Sequence, residues 1–148
     1  MHVGAEPDKV LNAVGGDSRV GGKYFKYGYG YGGPCFPRDN RALGIFSERA
    51  GREIPFSKVT DESNQIHLNN QVEDFCKQNP DKDEEIIIES VSYKKGSDII
   101  EESQKLLFAH KLVDEGYDVK IVDSKNVIKS VKKIFKNDFD YEEKEWNY

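Results

Sequence analysis

An α/β fold is predicted, with a mostly helical first half and a strand, helix, strand unit in the second. Three observations predict it. Apolar residues recur at helical spacing before residue 78, and short apolar runs flank one long helical pattern beyond residue 85. Third, 11 of the 13 glycines fall before Arg52, so loops and close contacts concentrate in the first third. Between the halves, Gln78–Glu85 reads QNPDKDEE, a polar linker with a proline and a charge run, expected to act as a hinge.

The elements follow in order. Pro7, Asp8, Val10, Leu11 and Val14 predict a helix within Ala5–Val14, stopped by Gly15 and Gly16. Asp39–Gly51 carries an apolar face of Leu43, Ile45, Phe46 and Ala50. Pro55 is expected to interrupt before a longer helix from about Thr60 to Lys77. There Leu68, Val72, Phe75 and Cys76 form a stripe, with Asn69, Asn70 and Gln71 on the wet side. Beyond the linker, Ile86–Ile88 opens a strand, Ile99–Glu115 reads as a helix with Asp98 and Glu101 at capping-box spacing, and Val119–Val122 is a second strand. That order is a βαβ unit with parallel strands and a right-handed crossover. A last helix is predicted over Lys125–Phe135, and the charged tail from Lys136 leaves disorder and ring packing both open.

Composition excludes several function classes. One third of the residues are charged, and the net charge of -5 is shared between acids and bases, which implies no basic face for nucleic acid. No apolar run is long enough to cross a membrane and no signal-peptide pattern opens the chain, so a cytoplasmic protein is expected. Two cysteines in different settings favour free thiols, and three scattered histidines give no support for a metal site.

The densest chemistry lies in Tyr24–Asp39, YFKYGYGYGGPCFPRD. Gly28, Gly30, Gly32 and Gly33 bring free backbone beside large rings, as a phosphate or sugar would require. Pro34 and Pro37 restrict the backbone around Cys35, while Arg38 and Asp39 supply a cation for a thiolate and a carboxylate for a water. The residues alone leave alternatives open. Cys35 is a reactive thiol or a buried small hydrophobe. Asp39 is catalytic or a helix cap. Arg19 is solvent-facing or a donor to an anion, and Lys94 and Lys95 are exposed charges or ligand contacts past the first strand, whose turn lacks GxGxxG. Cys76 is read as core packing and His110 as an ordinary helix-face residue.

Gly30–Asp39 resembles the catalytic-cysteine signature of the nucleotide-sugar dehydrogenases, the UDP-glucose and GDP-mannose 6-dehydrogenase family. Gly16–Gly21 (GDSRVG) and Ser92–Asp98 (SYKKGSD) match in the same order. The resemblance implies a helical, dimer-forming central region with the cysteine loop over 1–78. It also implies a truncated, Rossmann-like nucleotide-sugar-binding α/β domain over 84–148. Within it, Cys35 matches the nucleophile that carries the oxidised sugar as a thiohemiacetal and then a thioester, and Asp39 matches the aspartate that helps activate water. Arg19 matches an arginine reaching the sugar end of the substrate in the partner subunit. Tyr27, Gly28, Tyr29, Gly30, Tyr31, Gly32 and Gly33 match the loop around the sugar and phosphates, Lys94 a basic residue of the ligand cleft, and Arg38 a position close to the dinucleotide.

The resemblance further implies two NAD-dependent oxidations at C6 of UDP-glucose or a close relative. The family's NAD domain, and the helix with its catalytic lysine and asparagine, have no counterpart in these 148 residues, so the chain alone is expected to be inactive. Three positions depart from the pattern: Glu101 stands where an arginine is typical, Ser90 where a glycine is common, and Ile99 in place of an acid. A homodimer joined largely through the Thr60–Lys77 helix is expected from its apolar stripe and from a sheet of only two recognisable strands. The rival expectation is a non-enzymatic assembly or nucleotide-sugar-binding module. A cysteine hydrolase has little support, since no histidine lies near Cys35.

Overall fold

The computed structural model describes residues 4–146. The elements run α1 (Pro7–Gly15), α2 (Phe36–Arg49), α3 (Pro55–Gln78), β1 (Ile86–Glu89), α4 (Gln104–Asp114), β2 (Val119–Asp123), α5 (Lys125–Phe135) and β3 (Asp140–Glu143). A mostly helical N-terminal region thus precedes a small parallel sheet with interspersed helices, a truncated Rossmann-like unit.

The sheet is parallel throughout, in the order β1, β2, β3, with Ile88 opposite Ile121 and Ile121 opposite Tyr141. Sequential order with right-handed crossovers sends α4 and α5 to the same face. Burial agrees: Ile88 and Ile121 face the helices at 8% and 0% exposure, whereas Ile87 on the other face is 57% exposed. That second face is finished by charge, with ion pairs from Lys120 to Glu85 at 2.5 Å and from Lys144 to Glu89 at 2.8 Å. α3 packs on the outer side of α4.

One apolar core holds the chain from α3 onward. It runs from Leu68 and Val72 of α3 through Leu106, Ala109 and Leu112 of α4 and Val119 and Ile121 of β2 to Val127, Ile128 and Val131 of α5, closing on Phe139. Each fully buried Leu, Ile or Val there contributes roughly 1.5–3 kcal/mol. The predicted stripe of α3 is therefore real, but it is covered by α4 within the same chain, with Phe75 and Cys76 packed at its margin.

Several boundaries differ from the sequence reading. Pro55 begins α3 instead of interrupting, because a first-turn proline lacks only an amide hydrogen that has no helical partner there. α4 starts five residues later than its pattern suggests: Glu102 takes a left-handed φ of 47°, and Ser103, not Asp98, caps the helix by accepting from the Leu106 amide at 3.4 Å. The tail supplies a third strand. Beyond it the Lys144 amide donates to the Asp123 carbonyl at 2.9 Å, and the Lys144 ammonium sits 4.3 Å from the centre of the Trp146 ring.

Candidate functional site

Cys35 is exposed and is the N-cap of α2, so the thiol belongs to a helix start and not to a free loop. The Asp39 amide donates to the Cys35 carbonyl at 2.8 Å, and buried Pro37 fits the first turn, where its missing N–H costs nothing. Arg38 Nε donates to Asp39 Oδ1 at 2.9 Å, both side chains lying mostly in solvent. The Asp39 carboxylate, and after it the Cys35 sulfur, hold the Arg38 guanidinium above its ordinary range. Cation, thiol and carboxylate therefore stand together on one exposed helix end. Asp39 makes no side-chain cap.

Behind the thiol, the glycine loop lies against the protein itself. A Cβ on Gly30 would fall 2.0 Å from Asn64 Oδ1, one on Gly32 2.2 Å from the Glu102 carbonyl oxygen, and one on Gly33 2.4 Å from the Tyr93 ring. Gly33 also has a φ of 91°, and its amide donates to the Glu101 carbonyl at 3.1 Å. The close approach expected toward a ligand is thus made, at these three glycines, toward α3 and the segment before α4. Gly28 offers its carbonyl to two donors from α3, His67 Nε2 at 2.7 Å and Gln71 Nε2 at 3.3 Å. Gln71, expected on the wet side, is half-buried.

The tyrosines divide. Tyr29 meets Phe108 edge to face at 5.8 Å, and burial raises its phenol above the ordinary 10.0. Tyr31 donates to Asp61 Oδ1 at 3.4 Å and is raised by burial first and by Asp61 second. Tyr27 remains 62% exposed.

Arg19 is tied to its near neighbour: Nη2 lies 2.6 Å from Asp17 Oδ2 and Nε 3.0 Å from Oδ1, with the arginine 88% exposed. The hydrogen bonds from Arg19 hold the Asp17 carboxyl below its usual value. Lys94 is exposed on a turn, its carbonyl accepting from Ser92 Oγ at 3.0 Å. Tyr93, its neighbour, seats on Gly33, so the turn after β1 is brought to the loop that bears Cys35.

At the carboxyl ends of the strands the protein fills its own crevice. Lys105 Nζ donates to the Glu89 carbonyl, and buried Asp123 accepts from the Val91 amide at 2.7 Å and the Ser124 amide at 2.7 Å. Burial lowers the Lys105 ammonium. The spacing Gly28, Gly30, Gly33 satisfies GxGxxG, but it follows no strand among the described residues, and two of its glycines are packed as above. The residues present do not fit a dinucleotide. Among the described residues there is also no group of three or more His, Cys, Asp or Glu that could hold a metal, and no helix long and apolar enough to cross a membrane.

Sequence reasoning missed Arg41, Asn64, His67, Glu102 and Lys105. Their partners lie 16 to 61 residues away, and none stands in a spacing that signals chemistry.

Comparison with known proteins adds a second line. Residues 1–66 match the UDP-glucose/GDP-mannose dehydrogenase family, central domain. The chain is 42% identical over 71 residues to UDP-glucose 6-dehydrogenase TuaD of Bacillus subtilis, covering 45% of this chain and 15% of that protein. It is 29% identical over 117 residues to UDP-glucose 6-dehydrogenase AglM of Haloferax volcanii, covering 78% and 27%. A solved structure of a UDP-glucose dehydrogenase from Pyrobaculum islandicum superposes with a TM-score of 0.85 at 26% identity, over 97% of this chain and 33% of that one. The chain therefore spans a third or less of these relatives. The first 66 residues are thus similar to the central domain of the UDP-glucose/GDP-mannose dehydrogenase family, and the fold of nearly the whole chain is similar to that of one solved UDP-glucose dehydrogenase.

Proposed function

We propose that the chain carries the cysteine loop and part of the ligand cleft of an NAD-dependent UDP-glucose 6-dehydrogenase-like enzyme of the cytoplasm, with 1–78 as the central region and 84–148 as the truncated nucleotide-sugar domain. The observation that carries this reading is the exposed Cys35 at the start of α2, with Arg38 and Asp39 beside it. In the proposed reaction the Cys35 sulfur adds to the C6 aldehyde carbon of the sugar, forming an S–C bond as the carbonyl π pair moves to oxygen. At the thioester stage water attacks that carbon, and the S–C bond breaks as the thiolate leaves. Asp39 is positioned to orient the water, while Tyr27 to Gly33, Lys94 and a partner subunit's copy of Arg19 would surround the sugar and phosphates. NAD is the oxidant of the whole reaction, and its site lies outside these residues.

The 148-residue chain alone is proposed to bind a UDP-sugar without turning it over. Calorimetric titration with UDP-glucose and UDP-glucuronate is expected to give a Kd on the order of 1–100 μM. No heat at millimolar ligand would overturn the ligand part, and NAD reduction by the purified chain would overturn the inactivity.

A second reading, an assembly module derived from this family, is favoured by uncovered apolar side chains on α2 and α3: Leu43 at 50% exposure, Phe46 at 69%, Phe56 at 82%, Val59 at 54% and Ile66 at 58%. Since the Leu68, Val72 stripe is occupied by α4, a homodimer would use this surface instead. Light scattering should show a dimer at micromolar concentration that Phe46→Ser disrupts; a monomeric wild-type mass would remove the dimer.

A further inference from the structure

Arg41 of α2 joins three segments that the sequence keeps far apart. Its Nη1 and Nη2 donate to Glu102 Oε1 at 2.6 Å and Oε2 at 2.9 Å, a bidentate pair between the two halves of the chain. Its Nε donates to both oxygens of Asp61 on α3 at 3.1 Å. Asp61 in turn accepts from the Tyr31 hydroxyl, so the glycine loop hangs on the same carboxylate. A planar, five-donor guanidinium can serve two carboxylates in this way, whereas an ammonium on a flexible stem cannot reproduce the fork.

The far end of the bridge is itself constrained. Glu102 has a φ of 47°, which a residue with a Cβ keeps only where its surroundings hold it. Here Arg41 holds its side chain, and its carbonyl lies where Gly32 has room for no Cβ. One residue earlier, the Glu101 carbonyl accepts from the Gly33 amide.

We propose that Arg41 is a positioning residue, whose two-carboxylate bridge fixes the Tyr31–Cys35 loop against the Ile99–Ser103 turn and thereby sets how the Cys35 sulfur is presented. The proposal rests on Cys35 being the working thiol. The side chains of Arg41, Asp61 and Glu102 are 42%, 27% and 37% exposed, so dissolved salt reaches the bridge and presentation of the loop becomes dependent on ionic strength.

Hydrogen exchange and peptide-resolved iodoacetamide labelling of the full chain test this in Arg41→Gln, Arg41→Lys and Glu102→Gln. In Arg41→Gln the Gly33 amide is expected to exchange about tenfold faster while β2 amides keep wild-type protection. Cys35 labelling should change by about threefold or more with Cys76 unchanged, Cys76 serving as the reporter of general loosening. Glu102→Gln should match it, the double variant should add little, and Arg41→Lys should recover part of the effect. Raising salt from about 0.05 to about 0.5 M should move the wild type toward the variants. Gly33 exchange or Cys35 labelling within about twofold of wild type would overturn the proposal, as would parallel acceleration of Cys35 and Cys76. A wild-type Cys35 that labels no faster than free cysteine would overturn the catalytic reading instead, and the Gly33 amide alone would then decide for or against the bridge.

Discussion

The two halves of the chain are held by different physics. From Leu68 to Phe139 the polypeptide surrounds a continuous apolar core. Before Leu68, α1 buries no residue, and α2 buries only Pro37 and Ser47. Within the first half the glycine loop is held by polar contacts, Asn64 to the Tyr31 carbonyl at 2.8 Å and His67 to the Gly28 carbonyl, and it is joined to the second half by Gly33 to Glu101, Arg41 to Glu102, the Tyr29–Phe108 ring contact and close glycine approaches. The candidate site is therefore built on the half with least hydrophobic support. Its geometry is inherited from its neighbour, and its own apolar side chains face outward.

Substitutions in each half test this contrast. The largest effect is expected from Leu112→Ala at the centre of the core, fully buried, which should destabilise by about 3 kcal/mol in urea unfolding. Leu43→Ala, half-exposed, should stay within about 0.5 kcal/mol in the same assay, and equal losses would erase the distinction. Gly33→Ala should cost about 2 kcal/mol, because it meets both the Tyr93 ring and a φ of 91°. Unlike the core variant, it should expose residues 20–35 to limited proteolysis while α4 and β2 stay protected.

Smaller effects refine the picture. Ser90 takes a left-handed φ of 55° at the end of β1, so Ser90→Gly should stabilise by about 0.5 kcal/mol, read as a shift in the urea midpoint. Tyr29 provides a test of pH. Its phenol is raised above 10.0 by burial, so above pH 10 the unfolded chain loses that proton before the folded chain does, and stability falls as pH climbs toward the folded value. In Tyr29→Phe the fall in midpoint between about pH 9 and about pH 11 should be smaller than in the wild type. An identical fall would show that the ring does not report on the junction between the halves.

Much of this architecture was legible in local pattern. The α5 boundaries follow from Val127, Ile128, Val131, Ile134 and Phe135, and β2 buries its three apolar residues on both faces, interrupted by half-buried Lys120 and ended by buried Asp123. The unusual character of Gly30–Asp39 was also plain. β3 was not, because DYEE turns only Tyr141 inward and an edge strand with one apolar residue has no visible period. The start of α4 was misplaced because capping-box spacing from Asp98 cannot announce a left-handed Glu102. The surroundings of the site were illegible for a different reason: Asn64, His67 and Arg41 act across 20 to 61 residues, through contacts that no local spacing encodes.

The single tryptophan, at residue 146 beneath Lys144, gives the molecule a built-in pair of optical reporters. Four of the eight tyrosines crowd into residues 24–31, so ultraviolet difference absorbance is weighted toward the glycine loop, while emission excited at the red edge comes from the far margin of the sheet. Traces from the two colours that superimpose on heating would show that the loop melts only when the sheet does. A phenolic signal that departs earlier would show that the loop loosens while the sheet is still folded.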